Sequence, residues 1–168
     1  MIRDMKNIIK ILFFSWICMA VKCQDKESEN CHTSIIFSNN SEKNLRVREL
    51  FGHSIHYPDP LDITKFSYTA EWEKCKINSG EQSNTRATNR TGCYEDTFKS
   101  ENYSDMVYVY VFDAAIVENT AWDVVARDYL VLKRYDLTLA DLQRLDWKIT
   151  YPPTEAMKDV KQYPPYGE

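Results

Sequence analysis

The chain has 168 residues, with 21 basic and 25 acidic side chains and a formal net charge of −4. That length suits one domain, and the mildly negative charge argues against nucleic acid or an anionic membrane surface as the main partner. Eleven Tyr, seven Phe and four Trp are the aromatic load of a folded protein, whereas four Gly are few for a chain of tight hairpins.

Arg3, Lys6 and Lys10 precede the uninterrupted apolar run Ile11–Val21. A basic start before such a run is the shape of a secretory signal. The run is shorter than the roughly 20 residues that span a bilayer. Residues 1–23 are therefore read as a signal peptide cleaved near Cys23 and Gln24, with a retained signal anchor as the alternative. No second long apolar run follows, so the mature chain is expected to be secreted, extracellular and without stable membrane insertion. A mature chain of this size would bury roughly two thirds of its unfolded surface, enough for one core.

Residues 24–43 read as a polar leader in which only Ile35, Ile36 and Phe37 are expected to pack. The stretch from Asn44 to Asp62, NLRVRELFGHSIHYPDPLD, carries His53 and His56. Their spacing could chelate a metal on a helix, but Pro58 and Pro60 argue against a helix and no third ligand sits at an obvious spacing. They are read as ordinary surface histidines, with no metal site and no cofactor.

In residues 63–72, Phe66, Tyr68, Ala70 and Trp72 share one face, and polar residues alternate on the other. Period two with aromatics is a half-buried strand. Residues 76–92 crowd Gly, Asn, Ser and Thr and read as a loop. Residues 106–112, MVYVYVF, are the strongest strand, with Met106, Tyr108, Tyr110 and Phe112 on one face and Val107, Val109 and Val111 on the other. Both faces are apolar, so both are expected to be covered. Residues 114–125 read as a further strand or hairpin turning at Glu118–Thr120, and 127–134 as another strand.

The period then changes. Leu142, Leu145 and Ile149 recur at helical spacing, and Thr138 stands three residues before Asp141, close to a capping box. One helix is expected over about 138–150, ended by Pro152 and Pro153. Residues 152–168 read as an extended Pro-rich tail. No βαβ alternation occurs, which excludes a doubly wound sheet and leaves an antiparallel sandwich or barrel with one packed helix.

Cys18 and Cys23 leave with the signal; Cys31, Cys75 and Cys93 remain. An extracellular setting favours one disulfide and one odd thiol. Cys75–Cys93 is the shortest closure, worth about 3 kcal/mol by loop entropy, with Cys31 to either partner nearly as good. Asn39, Asn89 and Asn102 open Asn-x-Ser/Thr sequons in polar stretches and are candidate glycosylation sites. No nucleophile motif or oriented catalytic set appears, so no catalytic residue is assigned and an enzyme is not expected.

The order of these features resembles the lipocalin family, in particular its invertebrate, apolipoprotein-D-like branch. Asn44 and Gly52 match the family's first motif; Tyr57, Pro58 and Pro60 match the turn after it. Thr69, Ala70 and Glu71 match the start of the second strand, and Arg134 matches the arginine closing the last one. Ser54 stands where the family has a tryptophan, and residues 73–105 hold few strand-like runs. The arginine packs across that tryptophan in the family, so either Trp122 or Trp147 takes its place against Arg134 or the barrel base is looser. The resemblance implies an all-β fold with one C-terminal helix, an antiparallel up-and-down β-barrel that is shortened here, over residues 44–151.

It also implies a secreted carrier of a small hydrophobic ligand such as a fatty acid, retinoid or bilin. The ligand would be held by Phe66, Tyr68, Trp72 and Tyr108, with Tyr110, Phe112, Leu130 and Leu132 completing the wall. The alternative is a secreted protein on the same scaffold with a filled core. It would act on a secreted or cell-surface protein through loops 76–92 and 113–121.

Overall fold

The structure is a computed structural model that describes residues 31–51, 75–85, 92–100 and 105–168. The signal segment, the strand expected at 63–72 and its Phe66, Tyr68 and Trp72 lie outside the described residues. So do Gly52, the Tyr57–Pro60 turn, both histidines of that stretch, Asn89 and Asn102.

Among the described residues, eight strands form two sheets. The smaller holds β4 (Gln82–Thr85), β1 (Ile35–Asn39) and β7 (Lys148–Tyr151) in that order. The larger runs β3 (Lys76–Ile77), β2 (Leu45–Phe51), β5 (Val107–Asp113), β6 (Lys133–Leu137) and β8 (Lys161–Tyr163). The fold is β-rich, with a few short helices, and among the described residues the strands do not close into a barrel. Nor is the pairing wholly antiparallel: β1 runs parallel to β7, with Phe37 opposite Ile149.

β5 shows why the larger sheet is buried on both sides. Its register places Val111 between Val47 and Lys133, and Val109 between Glu49 and Tyr135. Side chains alternate across a strand, so the valines share one face. That face packs on Ile35, Phe37 and Ile149 of the smaller sheet and on Leu142, Leu145 and Trp147. Tyr108, Tyr110 and Phe112 share the other face with Val117, Val125 and Ala126. Both faces are thus covered, as the doubly apolar strand requires.

The chain crosses between sheets twice near one end. The 40–44 turn leads from β1 to β2, and the 78–81 turn, with Gly80 at φ 76°, leads from β3 to β4. Asn39 pins these turns together. Its side-chain Nδ2 donates to the carbonyls of Lys43 (2.7 Å), Ile77 (3.1 Å) and Asn78 (3.0 Å), while its Oδ1 accepts from the Ser41 amide and hydroxyl. The residue is fully buried. A glycan would be attached at that same Nδ2, which in this fold is buried and donates to three carbonyls.

Five expectations are corrected. Residues 31–43 are not a leader, because β1 is the central strand of the smaller sheet. Residues 114–125 form two helices, α2 (Ala114–Asn119) and α3 (Trp122–Arg127), after the short α1 (Tyr94–Phe98). The Asp113 side chain accepts from the Ala115 amide and starts α2 directly from the end of β5. The strand read at 127–134 begins only at Lys133, after Tyr129 takes a left-handed φ of 50°.

The expected C-terminal helix is α4 (Leu139–Arg144), with the Thr138–Asp141 capping box in place. It stops early because Asp146 and Trp147 take left-handed φ values of 52° and 57°. Ile149 still reaches the core, from β7 rather than from a helix. The tail is not merely extended either: β8 adds Tyr163 beside Arg134, at the edge of the larger sheet.

Candidate functional site

The most unusual chemistry lies on the aromatic face of the larger sheet. Successive rows across it read Arg46 with Phe112; Arg48, Tyr110, Arg134 and Tyr163; then Leu50, Tyr108, Asp136 and Lys161. Strand period two puts arginines and aromatics alternately on one surface. Three guanidiniums are buried there.

Arg134 is the centre. Its Nε and Nη2 donate to the two carboxylate oxygens of Asp136, at 2.6 and 2.8 Å. The two residues stand two apart on β6, hence on one side, and the planar fork matches the carboxylate. The guanidinium also lies over the rings of Tyr163 (4.9 Å), Tyr108 (5.3 Å) and Tyr110 (5.8 Å). These tyrosines supply the cation–π partner expected of Trp122 or Trp147. Burial works against the Arg134 charge, but the Asp136 hydrogen bonds outweigh it and hold the group firmly protonated. Burial pushes the Tyr110 phenol above its ordinary value, so it stays neutral. Lys161 adds a longer contact to Asp136 at 3.5 Å.

α2 and α3 cover this face. Trp122 meets Phe112 edge-on at 5.8 Å, and Leu130 and Val131 pack beside it. Of the residues expected to hold a ligand, Tyr108, Tyr110, Phe112 and Leu130 come together, whereas Leu132 packs on the opposite, valine-face cluster. Tyr108, Tyr110 and Phe112 are 4%, 1% and 0% exposed. Each ring therefore meets other atoms on nearly all sides, as in a filled core.

A second grouping lies where the chain crosses between sheets. Glu118 of α2 accepts from Arg46 of β2 (2.7 Å) and Lys76 of β3 (3.1 Å). Asp113 accepts from Lys43 at 2.7 Å, and Asn44 Oδ1 accepts from the Ser79 amide at 3.1 Å. Parts of the two segments nominated as interaction loops, 76–92 and 113–121, thus sit side by side with the 40–44 turn. Ile116 of α2 is 37% exposed there, and it was missed because the segment reads as a strand.

The disulfide is Cys31–Cys93, not Cys75–Cys93, and Cys75 is the odd thiol. Burial pushes the Cys75 thiol up, with Arg48 partly opposing the shift. A third grouping surrounds the disulfide: His32 bonds Glu95 and stacks on Trp147. Among the described residues, no three His, Cys, Asp or Glu side chains gather as a metal site. No helix in the described residues is long and apolar enough to cross a membrane. No family model, curated protein or solved structure matches the chain.

Proposed function

We propose that this is a secreted β-sandwich protein that acts through protein–protein interaction on its outer surface. It would be a lipocalin-like scaffold with its interior given over to packing. The observation that supports this reading most is the near-total burial of Tyr108, Tyr110 and Phe112. An eight-stranded carrier barrel keeps space for a ligand against such rings; here Val117 of α2 and Val125 and Ala126 of α3 pack against them. The surface nominated for contact is the end that joins the 40–44 turn, the 78–81 turn and α2, with Ile116 as its exposed apolar residue.

The test is binding of the mature protein to secreted or cell-surface proteins, comparing the parent with Ile116→Arg. A drop in binding of about tenfold at unchanged melting temperature is expected of an interface anchor. Equal binding by both proteins would remove this surface from the account. The second reading is a carrier of a fatty acid, retinoid or bilin. It is favoured by the gathering of Tyr108, Tyr110, Phe112 and Leu130 in one cluster. Native mass spectrometry separates the two: a stoichiometric apolar ligand on the purified protein would establish the carrier.

A further inference from the structure

Residues 31–34 form a strap that leads into β1, and this strap is fastened to α1 twice over. The first fastening is the Cys31–Cys93 bond. The second uses the next residues along. The His32 amide donates to Glu95 Oε2 at 2.9 Å, and its ring Nδ1 meets Glu95 Oε1 at 2.5 Å. The Tyr94 amide donates back to the His32 carbonyl at 2.8 Å. The imidazole also lies flat on Trp147, with centroids 4.1 Å apart and planes 13° apart. Trp147 is one of two successive left-handed residues, a backbone held by its surroundings.

Among the described residues, the charged groups around this clasp come from three elements. Glu95 comes from α1. Asp146 comes from the turn after α4 and is bound by Lys148 of β7. The Tyr94 hydroxyl donates to Glu49 of β2. Burial would raise the Glu95 carboxyl, but hydrogen bonds from His32 outweigh it and hold it below the usual carboxylate range. A carboxylate lowered in the fold adds stability above its unfolded value, and that stability is lost as the pH falls through the folded value. At neutral pH the clasp is therefore closed.

We propose that the strap is held by a two-key lock. Either the Cys31–Cys93 bond or the His32–Glu95 pair keeps it on α1, and it opens only when the disulfide is reduced and the carboxylate is protonated together. A dithiol reductant supplies the first key, giving two electrons and two protons to leave Cys31 and Cys93 as thiols while it closes into a cyclic disulfide. Acid supplies the second. The lock protects the central strand of the smaller sheet from either challenge alone.

Hydrogen exchange of the mature protein tests this, read at the strap and corrected for intrinsic rates, on oxidised protein and on protein first reduced by a dithiol at about pH 7, each then held at about pH 7 or at about pH 2.5, well below the ordinary carboxylate range. Strap protection should stay unchanged in three of the four states and fall by about tenfold or more only in the reduced, acidic one. In that state the amides of β5 should keep their protection. Glu95→Gln should lose strap protection on reduction alone at neutral pH. Opening of the parent by reduction alone, opening by acid alone, or closure in all four states would overturn the proposal. So would simultaneous loss of β5 protection, which would be global unfolding, or a reduced Glu95→Gln strap that stays closed at neutral pH.

Discussion

On one face of β5, Val107, Val109 and Val111 meet the smaller sheet; on the other, Tyr108, Tyr110 and Phe112 meet arginines and two short helices. Both faces are buried, but different physics holds them. The valine face is held by dispersion and by removal of apolar area from water. The aromatic face also carries charge, and charge in a buried place is tolerated only while it is paired and hydrogen-bonded. One face should answer to volume and the other to partnership.

The largest effect is expected of Asp136→Ala. It leaves Arg134 buried without its carboxylate and should cost about 3–5 kcal/mol in chemical denaturation. Replacing the pair together, Arg134→Met with Asp136→Ala, should recover most of that loss, because no uncompensated charge remains. If the double variant is as unstable as the sum of the two singles, the pair is not a unit. Next comes Asn39→Ala, where the two crossing turns join. Losing the shared amide should cost about 2–4 kcal/mol, since carbonyls around it lose their donor. Treatment of the parent protein with a glycosidase should leave the mass of the Asn39 peptide unchanged.

On the valine face, Val109→Ala should cost about 2 kcal/mol through lost burial and a small cavity, with no dependence on salt or pH. The smallest effect is expected off both faces. Thr138→Ala removes the cap of α4 and should cost about 1 kcal/mol. A loss at Val109 larger than that at Asp136 would reverse the contrast between the faces.

The parts of this fold legible in the sequence are those decided locally. β5 announces itself by β-branched and aromatic alternation, and the Thr138–Asp141 box needs only three residues of spacing. The parts that were hidden depend on distant partners. Residues 114–125 carry strand-like Ile and Val, but Asp113 caps the following amides and Ala114 and Ala115 favour helix. The α4 pattern runs on to Ile149, yet the left-handed pair at Asp146 and Trp147 diverts the chain into β7.

The disulfide was misread for a quantitative reason. Loop-closure cost grows only logarithmically, so a separation of 62 residues instead of 18 costs about 1 kcal/mol more. Placement of the strap against α1 easily outweighs that. The surroundings of Asn39 are hidden in the same way: its sequon is a three-residue pattern, whereas its burial depends on the turns at 40–44 and 78–81. On the aromatic face, shared sidedness of Tyr108, Tyr110 and Phe112 was readable. The arginines beside them were not, because Arg46 and Arg48 look like the solvent side of an edge strand until β5 pairs with β2.

Rings as buried as Tyr108, Tyr110 and Phe112 leave no room for a guest on the aromatic face. The most direct measurement follows Trp122 emission, with Trp122→Phe as the reference, during titration of the mature protein with fatty acids, retinoids and biliverdin. Trp122 touches Phe112 edge-on and would sense any guest against that face. A packed face gives no saturable change in emission and no rise in melting temperature. A saturable one-to-one change that raises the melting temperature, and that Trp122→Phe abolishes, would contradict it.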